Sequence, residues 1–164
     1  MKKDTSLILS LYPNARGLGY ASIEPPQKLL DSGIIDVRPV SDDQILARIT
    51  KFVEFHRPTL IIVRDSNVKN VGATTRVQKL INSIADFAAK HTIPVHKYSR
   101  QQIRDVFEQY GATSKYEIAK RIIPWYPELA PRAPKIRKTW MDEDYNMCVF
   151  DAISLAVTHL YLTK

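Results

Sequence analysis

The hydrophobic period of this chain changes at Ser41, and that change governs what it can fold into. Before it come three short apolar, β-rich runs, residues 6–12, 17–23 and 29–37, punctuated by the turn pairs Pro13-Asn14 and Pro25-Pro26. Tight turns between successive strands predict an antiparallel meander, with Gly33 as a bulge or a close-approach point. From Ser41 onward the spacing turns helical. Ser41 is a good N-cap, Asp42 and Asp43 suit the first turn, and Ile45, Leu46, Ile49, Phe52 and Val53 form one stripe until Arg57-Pro58 stops it. The continuous apolar run 59–63 predicts a strand buried on both faces. A helix over 74–91, a strand over 93–98 and helices over 100–110 and 114–123 follow, the last opened by a Ser114/Glu117 capping box. Three strands, helix, strand, helix, strand, helices predict an α/β domain: one mixed five-stranded sheet, its first three strands antiparallel, with helices on both faces.

Residues 124–140 differ in kind. Four prolines stand among Arg132, Lys135, Arg137 and Lys138 without any period, which predicts an extended basic loop. The final helix, 145–162, presents Val149, Ile153, Ala156, Val157 and Leu160 as its inner stripe. Asp142, Glu143 and Asp144 precede it, where acids complement a helix N-terminus.

A length of 164 residues suits one domain, able to bury roughly two-thirds of the surface its unfolded form exposes. No apolar run approaches the ~20 residues of a membrane-spanning helix. The basic start, Lys2 and Lys3, leads into an apolar stretch too short for a signal peptide. A single cysteine, Cys148, cannot staple the chain internally, and the expected compartment is the cytoplasm. The net charge of +7, from 24 Lys+Arg against 17 Asp+Glu, favours a polyanionic partner such as nucleic acid, or an anionic membrane face. His56, His91, His96 and His159 are too scattered for a zinc site, and Gly17 and Gly19 fall in a hairpin, not in a phosphate-binding loop.

Several segments resemble the RuvC Holliday-junction resolvases, a family of ribonuclease-H-like fold. The run ILSLYPNARGLGY, from Ile8 to Tyr20, is similar to the family's first hairpin, where a strand ends in Asp-Pro-Gly and Gly-Tyr opens the next; Pro13 and Gly19-Tyr20 fall at the matching spacing. LDSGI, from Leu30 to Ile34, looks like its third strand. ATSKYEI, from Ala112, looks like the segment in which a lysine, here Lys115, opens a helix. FDAISLAVTH, from Phe150 to His159, is similar to the closing helix. With the order of elements, the resemblance covers nearly the whole chain, as one RuvC-like domain.

The resemblance implies an endonuclease with two divalent metals, Mg²⁺ or Mn²⁺, held by four acids. Two ions roughly 3.5–4 Å apart activate water and stabilise the leaving oxygen, and clustered carboxylates offset their charge. At the matching positions this chain has Tyr12, Arg64, Cys148 and Asp151. A neutral phenol, a permanent cation and a soft thiol are poor magnesium ligands, so only Asp151 keeps the chemistry. Asp65 and Asp144 are candidates for a displaced carboxylate site, although Asp65 is one strand residue out of phase. Arg64 is expected to pair with Asp151, to hold a phosphate, or both.

The leading expectation is therefore a nucleic-acid-binding domain, with DNA as the partner, that lacks metal-dependent cleavage and needs no cofactor. The alternatives are an endonuclease using Asp65, Asp144 and Asp151 with Mg²⁺ or Mn²⁺, and a scaffold module for protein contacts. Candidate contacts are Arg16, Arg64, Arg76, Lys79, Lys115, Arg132, Lys135, Arg137, Lys138 and Trp140, which either stacks on a base or packs on the core. The resemblance further implies a homodimer formed through the second long helix.

Overall fold

The computed structural model describes residues 6–65, 75–136, 138, 140–141 and 143–164. Strands β1 (Ile8–Pro13), β2 (Gly17–Glu24) and β3 (Lys28–Asp36) are followed by helix α1 (Asp42–His56). Then come β4 (Leu60–Arg64), α2 (Thr75–Lys90), β5 (Val95–Tyr98), α3 (Arg100–Glu108), α4 (Lys115–Ile122), a 3-10 turn (Pro127–Arg132) and α5 (Met147–Leu162). The strands form one sheet in the order β3-β2-β1-β4-β5, antiparallel through β1–β3 and parallel at β1·β4 and β4·β5. This is the mixed five-stranded sheet that the change of period predicts.

Local chemistry sets the element ends. Ser41 caps α1 by accepting from Gln44 N, and Arg57 closes it in the left-handed region. Reciprocal capping boxes, Ser99 with Gln102 and Ser114 with Glu117, start α3 and α4. The register shift between β2 and β3 falls at Ser22/Ile23, so Gly33 is not the bulge. It is the close approach: a Cβ there would lie 2.8 Å from the Tyr20 hydroxyl.

Each face of the sheet carries a core. Leu9, Leu11, Ile61 and Val63 pack against Ile45, Ile49, Leu80 and Ile84 of α1 and α2. Ile8, Tyr12 and Ile62 pack on the other side against Phe107, Ile118, Val149 and Ile153 of α3, α4 and α5. Helix α5 is broader in its burial than one stripe: every residue from Met147 to Ala156 is buried. A helix apolar nearly all round belongs at the centre of a fold, and α5 lies between the sheet and α3 and α4.

Two expectations need correction. Residues 124–140 are not wholly extended: Pro127–Arg132 forms a 3-10 turn with Leu129 buried, because proline at the start of a turn suits a conformation that needs no N–H there. Nor do the acids before α5 cap it. Its N-cap is Asn146, whose side chain makes no capping bond, while Asp144 Oδ1 accepts from Asn146 N at 2.9 Å, one residue too early. Asp142 lies outside the described residues.

Candidate functional site

Strand alternation chooses which side chains meet beneath α5. Tyr12 and Ile62 belong to the α5 layer, so Arg64, two residues beyond Ile62, falls on that side too. Its guanidinium carbon lies 4.6 Å from the centre of the Tyr12 ring, and its Nη1 donates to Pro13 O at 2.9 Å. Lys115 approaches the same ring, with Nζ 5.3 Å from its centre. Both contacts are within cation–π range.

Asp151 is the anion of this cluster, and only 3% exposed. The expected pairing with Arg64 is not what holds it. Arg100 Nη1 donates to Oδ1 at 3.3 Å and Lys115 Nζ to Oδ2 at 3.1 Å. Arg64 is instead turned to the Pro13 carbonyl and the Tyr12 ring. Each carboxylate oxygen thus already faces a cation. Lys115 also reaches Glu143 Oε1, at 2.8 Å. Arg100 and Lys115 are the first residues of α3 and α4, where the helix macrodipole disfavours positive charge. A buried carboxylate shared between them offsets that cost. Arg100 is still only part-satisfied: its buried Nη2 has no hydrogen-bond partner among the described residues, an uncommon state for a donor.

The electrostatics follow from burial. Burial raises the Asp151 carboxyl above its ordinary range, against the opposing pull of Lys115 and Arg100. For Lys115, burial favours the neutral amine, but electrostatic attraction to Asp151, with Tyr12 and Glu143 adding, outweighs it and the amine sits above its usual value. Burial, with Asp151 adding, pushes the Cys148 thiol up to about 12, so it carries no thiolate at neutral pH.

These donors do not fit a divalent metal pair. Tyr12 is covered by cations, Arg64 is itself one, Cys148 is a protonated thiol, and Asp151 is engaged on both oxygens. Among the described residues no three His, Cys, Asp or Glu side chains gather closely enough to hold an ion. Asp65 follows the last residue of β4 and donates its backbone N–H to Tyr98 O at 2.8 Å. Asp144 serves the loop backbone, accepting from Asn146 N and, at 3.5 Å, from Lys135 N.

The basic candidates divide by what already binds them. Arg76 pairs with Asp42 at 3.2 Å, and Arg132 donates to Asn146 Oδ1 at 3.3 Å. Arg16 is exposed on the β1–β2 turn and lines a cavity of about 250 Å³ with Glu143, Asp144, Tyr145 and Cys148. Lys135 lines a second cavity, of about 350 Å³, with Ser114, Lys115, Glu143 and Asp144. The two acids therefore border both. Lys79 is exposed on α2. Lys138 sits 5.2 Å from the Trp140 ring, which is 77% exposed and not packed in the core. Arg137 lies outside the described residues.

Sequence reasoning missed Arg100. A usable signal existed: an arginine directly after the N-cap, in a helix whose first turn has no acid, calls for a carboxylate from elsewhere.

No protein-family model matches the sequence, and no curated protein matches it significantly. The likeness is carried by structure. The chain superposes on Thermus thermophilus RuvC with a TM-score of 0.70 at 18% identity, over 96% of this chain and 95% of that one. A T. thermophilus RuvC in complex with a Holliday junction substrate gives 0.69 at 17%, with the same coverage. The yeast mitochondrial Holliday junction resolvase Ydc2 gives 0.62 at 12%, over 95% of this chain and 78% of that one. The fold is that of the RuvC-like resolvases.

Proposed function

We propose that this RuvC-fold domain binds branched or duplex DNA and does not cut it by a metal-dependent route. The observation that carries the reading is the state of Asp151: both of its oxygens are engaged by built-in cations, Arg100 and Lys115. The charge that metal ions would supply is provided by side chains of α3 and α4. Support for DNA as partner comes from the net charge of +7, the exposed Arg16, Lys135 and Lys138, and the likeness to a RuvC bound to a Holliday junction. We assign backbone contact to Arg16, Lys135 and Lys138, with Trp140 as an exposed ring on which a base can stack.

Fluorescence anisotropy with a labelled four-way junction, across a salt series, tests this. Affinity should fall steeply with salt, by a slope of about 0.9 per neutralised phosphate. Incubation with Mg²⁺ or Mn²⁺ should leave the junction intact, and calorimetry with either ion should show no tight site. Junction cleavage, or heat from two coupled ions, would overturn the reading. Binding that is absent even at low salt would point to a protein-contact scaffold instead.

A further inference from the structure

The β1–β2 turn is held in an unusual way. Its own hydrogen bonds are compact: Asn14 N donates to Gly17 O at 2.9 Å, and Asn14 Oδ1 accepts from Arg16 N and Gly17 N at 2.8 and 3.0 Å. Three successive carbonyls around it then point at guanidinium groups. Arg64 Nη1 donates to Pro13 O at 2.9 Å. Arg76 Nη2 donates to Asn14 O at 3.1 Å and to Ala15 O at 2.7 Å. Arg76 Nη1 is fixed in turn on Asp42 Oδ1, in the first turn of α1. The end of β4 and the start of α2 thus grip one short turn, anchored to α1.

We infer that Arg64 and Arg76 are positioning residues: they fix this turn so that Arg16 is presented to a DNA phosphate. The inference rests on the DNA-binding reading and deepens it. Arg76 is poorly placed to be a phosphate contact, because Asp42 already balances its charge and two carbonyls occupy one of its nitrogens. Arg64 is likewise turned to Pro13 O and the Tyr12 ring. Arg16 is different. It is exposed, it follows the gripped carbonyls, and among the described residues its side chain makes no ion pair or hydrogen bond. A fork of donors with fixed geometry suits several acceptors at once, which a lysine ammonium cannot match.

Salt-dependent binding to a four-way junction separates positioning from contact. Arg16→Ala should lower the salt slope by about 0.9, the share of one phosphate. Arg76→Ala should produce a similar fall, and Arg76→Lys should not restore it, since charge without the fork leaves the turn unheld. The double variant should fall no further than either single one. A combined fall of about 1.8, or restoration by lysine, would mean that Arg76 touches the backbone itself and would overturn the inference. Amide hydrogen exchange of the free protein supplies a readout independent of DNA. The amides of Arg16 and Gly17 should lose protection at least tenfold in Arg76→Ala and in Arg64→Ala, but not in Arg16→Ala. Unchanged protection would sink the clamp even if DNA binds. Should DNA not bind while protection drops as described, the clamp stands and the DNA-binding reading falls.

Discussion

The two faces of the sheet are built from different materials. Toward α1 and α2 the buried core is leucine, isoleucine and valine with Ala88, and the buried polar residue among those described is Ser22, paired with Leu9. On the α5 side lie Ser10, Asp151, Ser154, Thr158 and His159, all buried. Those groups are mostly answered within the protein. Ser10 Oγ donates to Ala152 O at 2.5 Å, Ser154 Oγ to Asp151 O, Thr158 Oγ1 to Ser154 O, and His159 Nδ1 lies 2.7 Å from Tyr98 Oη. Burying polar groups costs stability unless each finds a partner. A domain that needed only to fold could have used the dry recipe twice. The polarity buried in this domain is thus concentrated under α5, on the side of the Asp151 cluster.

The sharpest break of this contrast is Arg100→Met, which leaves buried Asp151 with Lys115 alone. Losing one partner of a buried ion pair costs about 3–5 kcal/mol at neutral pH, measurable by denaturant melts. The sign with pH follows from burial. Asp151 already titrates above its ordinary value, so the folded state holds that proton more tightly than the unfolded chain. Such a contribution to stability is whole below the unfolded value and is lost as pH rises through the folded one. Without Arg100 the folded value climbs further, so the deficit against wild type should be larger at pH 8 than at pH 4. On the dry face, Leu80→Ala should cost about 2–5 kcal/mol through the cavity it leaves, by the same amount at both pH values. A pH-independent deficit for Arg100→Met would erase the distinction between the faces.

Gly19→Ala probes how tightly α5 is seated. A Cβ at this position would lie 2.1 Å from the Cys148 carbonyl oxygen, a backbone atom that cannot swing aside. Thermal melts should show a loss of about 1–3 kcal/mol, typical of overpacking. The smallest effect is expected at Ser22, whose buried hydroxyl has no partner among the described residues. Ser22→Ala should be neutral or stabilising, by up to about 1 kcal/mol. A clear destabilisation would show that the α1–α2 face has a polar requirement of its own.

How much of this was legible depends on distance along the chain. The caps at Ser41 and Ser114, the α1 stripe and the order of elements are local or periodic, and each is where the sequence places it. Lys115 was found because a motif carries it. Arg100 and Asp151 are 51 residues apart and meet only when α3 and α5 pack, which no spacing encodes. Arg64 shows the same limit from the other side. Its place beneath α5 follows from alternation, but its partners, a carbonyl and a ring, are set by how the first hairpin turns back. The proline-rich stretch hid a 3-10 turn because such turns have no apolar period to read.

Glu143 on Lys115 has a consequence for any visitor to this site. A phosphate arriving there must trade places with a carboxylate that the protein itself carries, and the evicted acid then borders both cavities as a repelling neighbour. Arrival at Lys115 is an exchange of one anion for another, so fewer small ions are set free than a tally of the surrounding lysines and arginines would suggest.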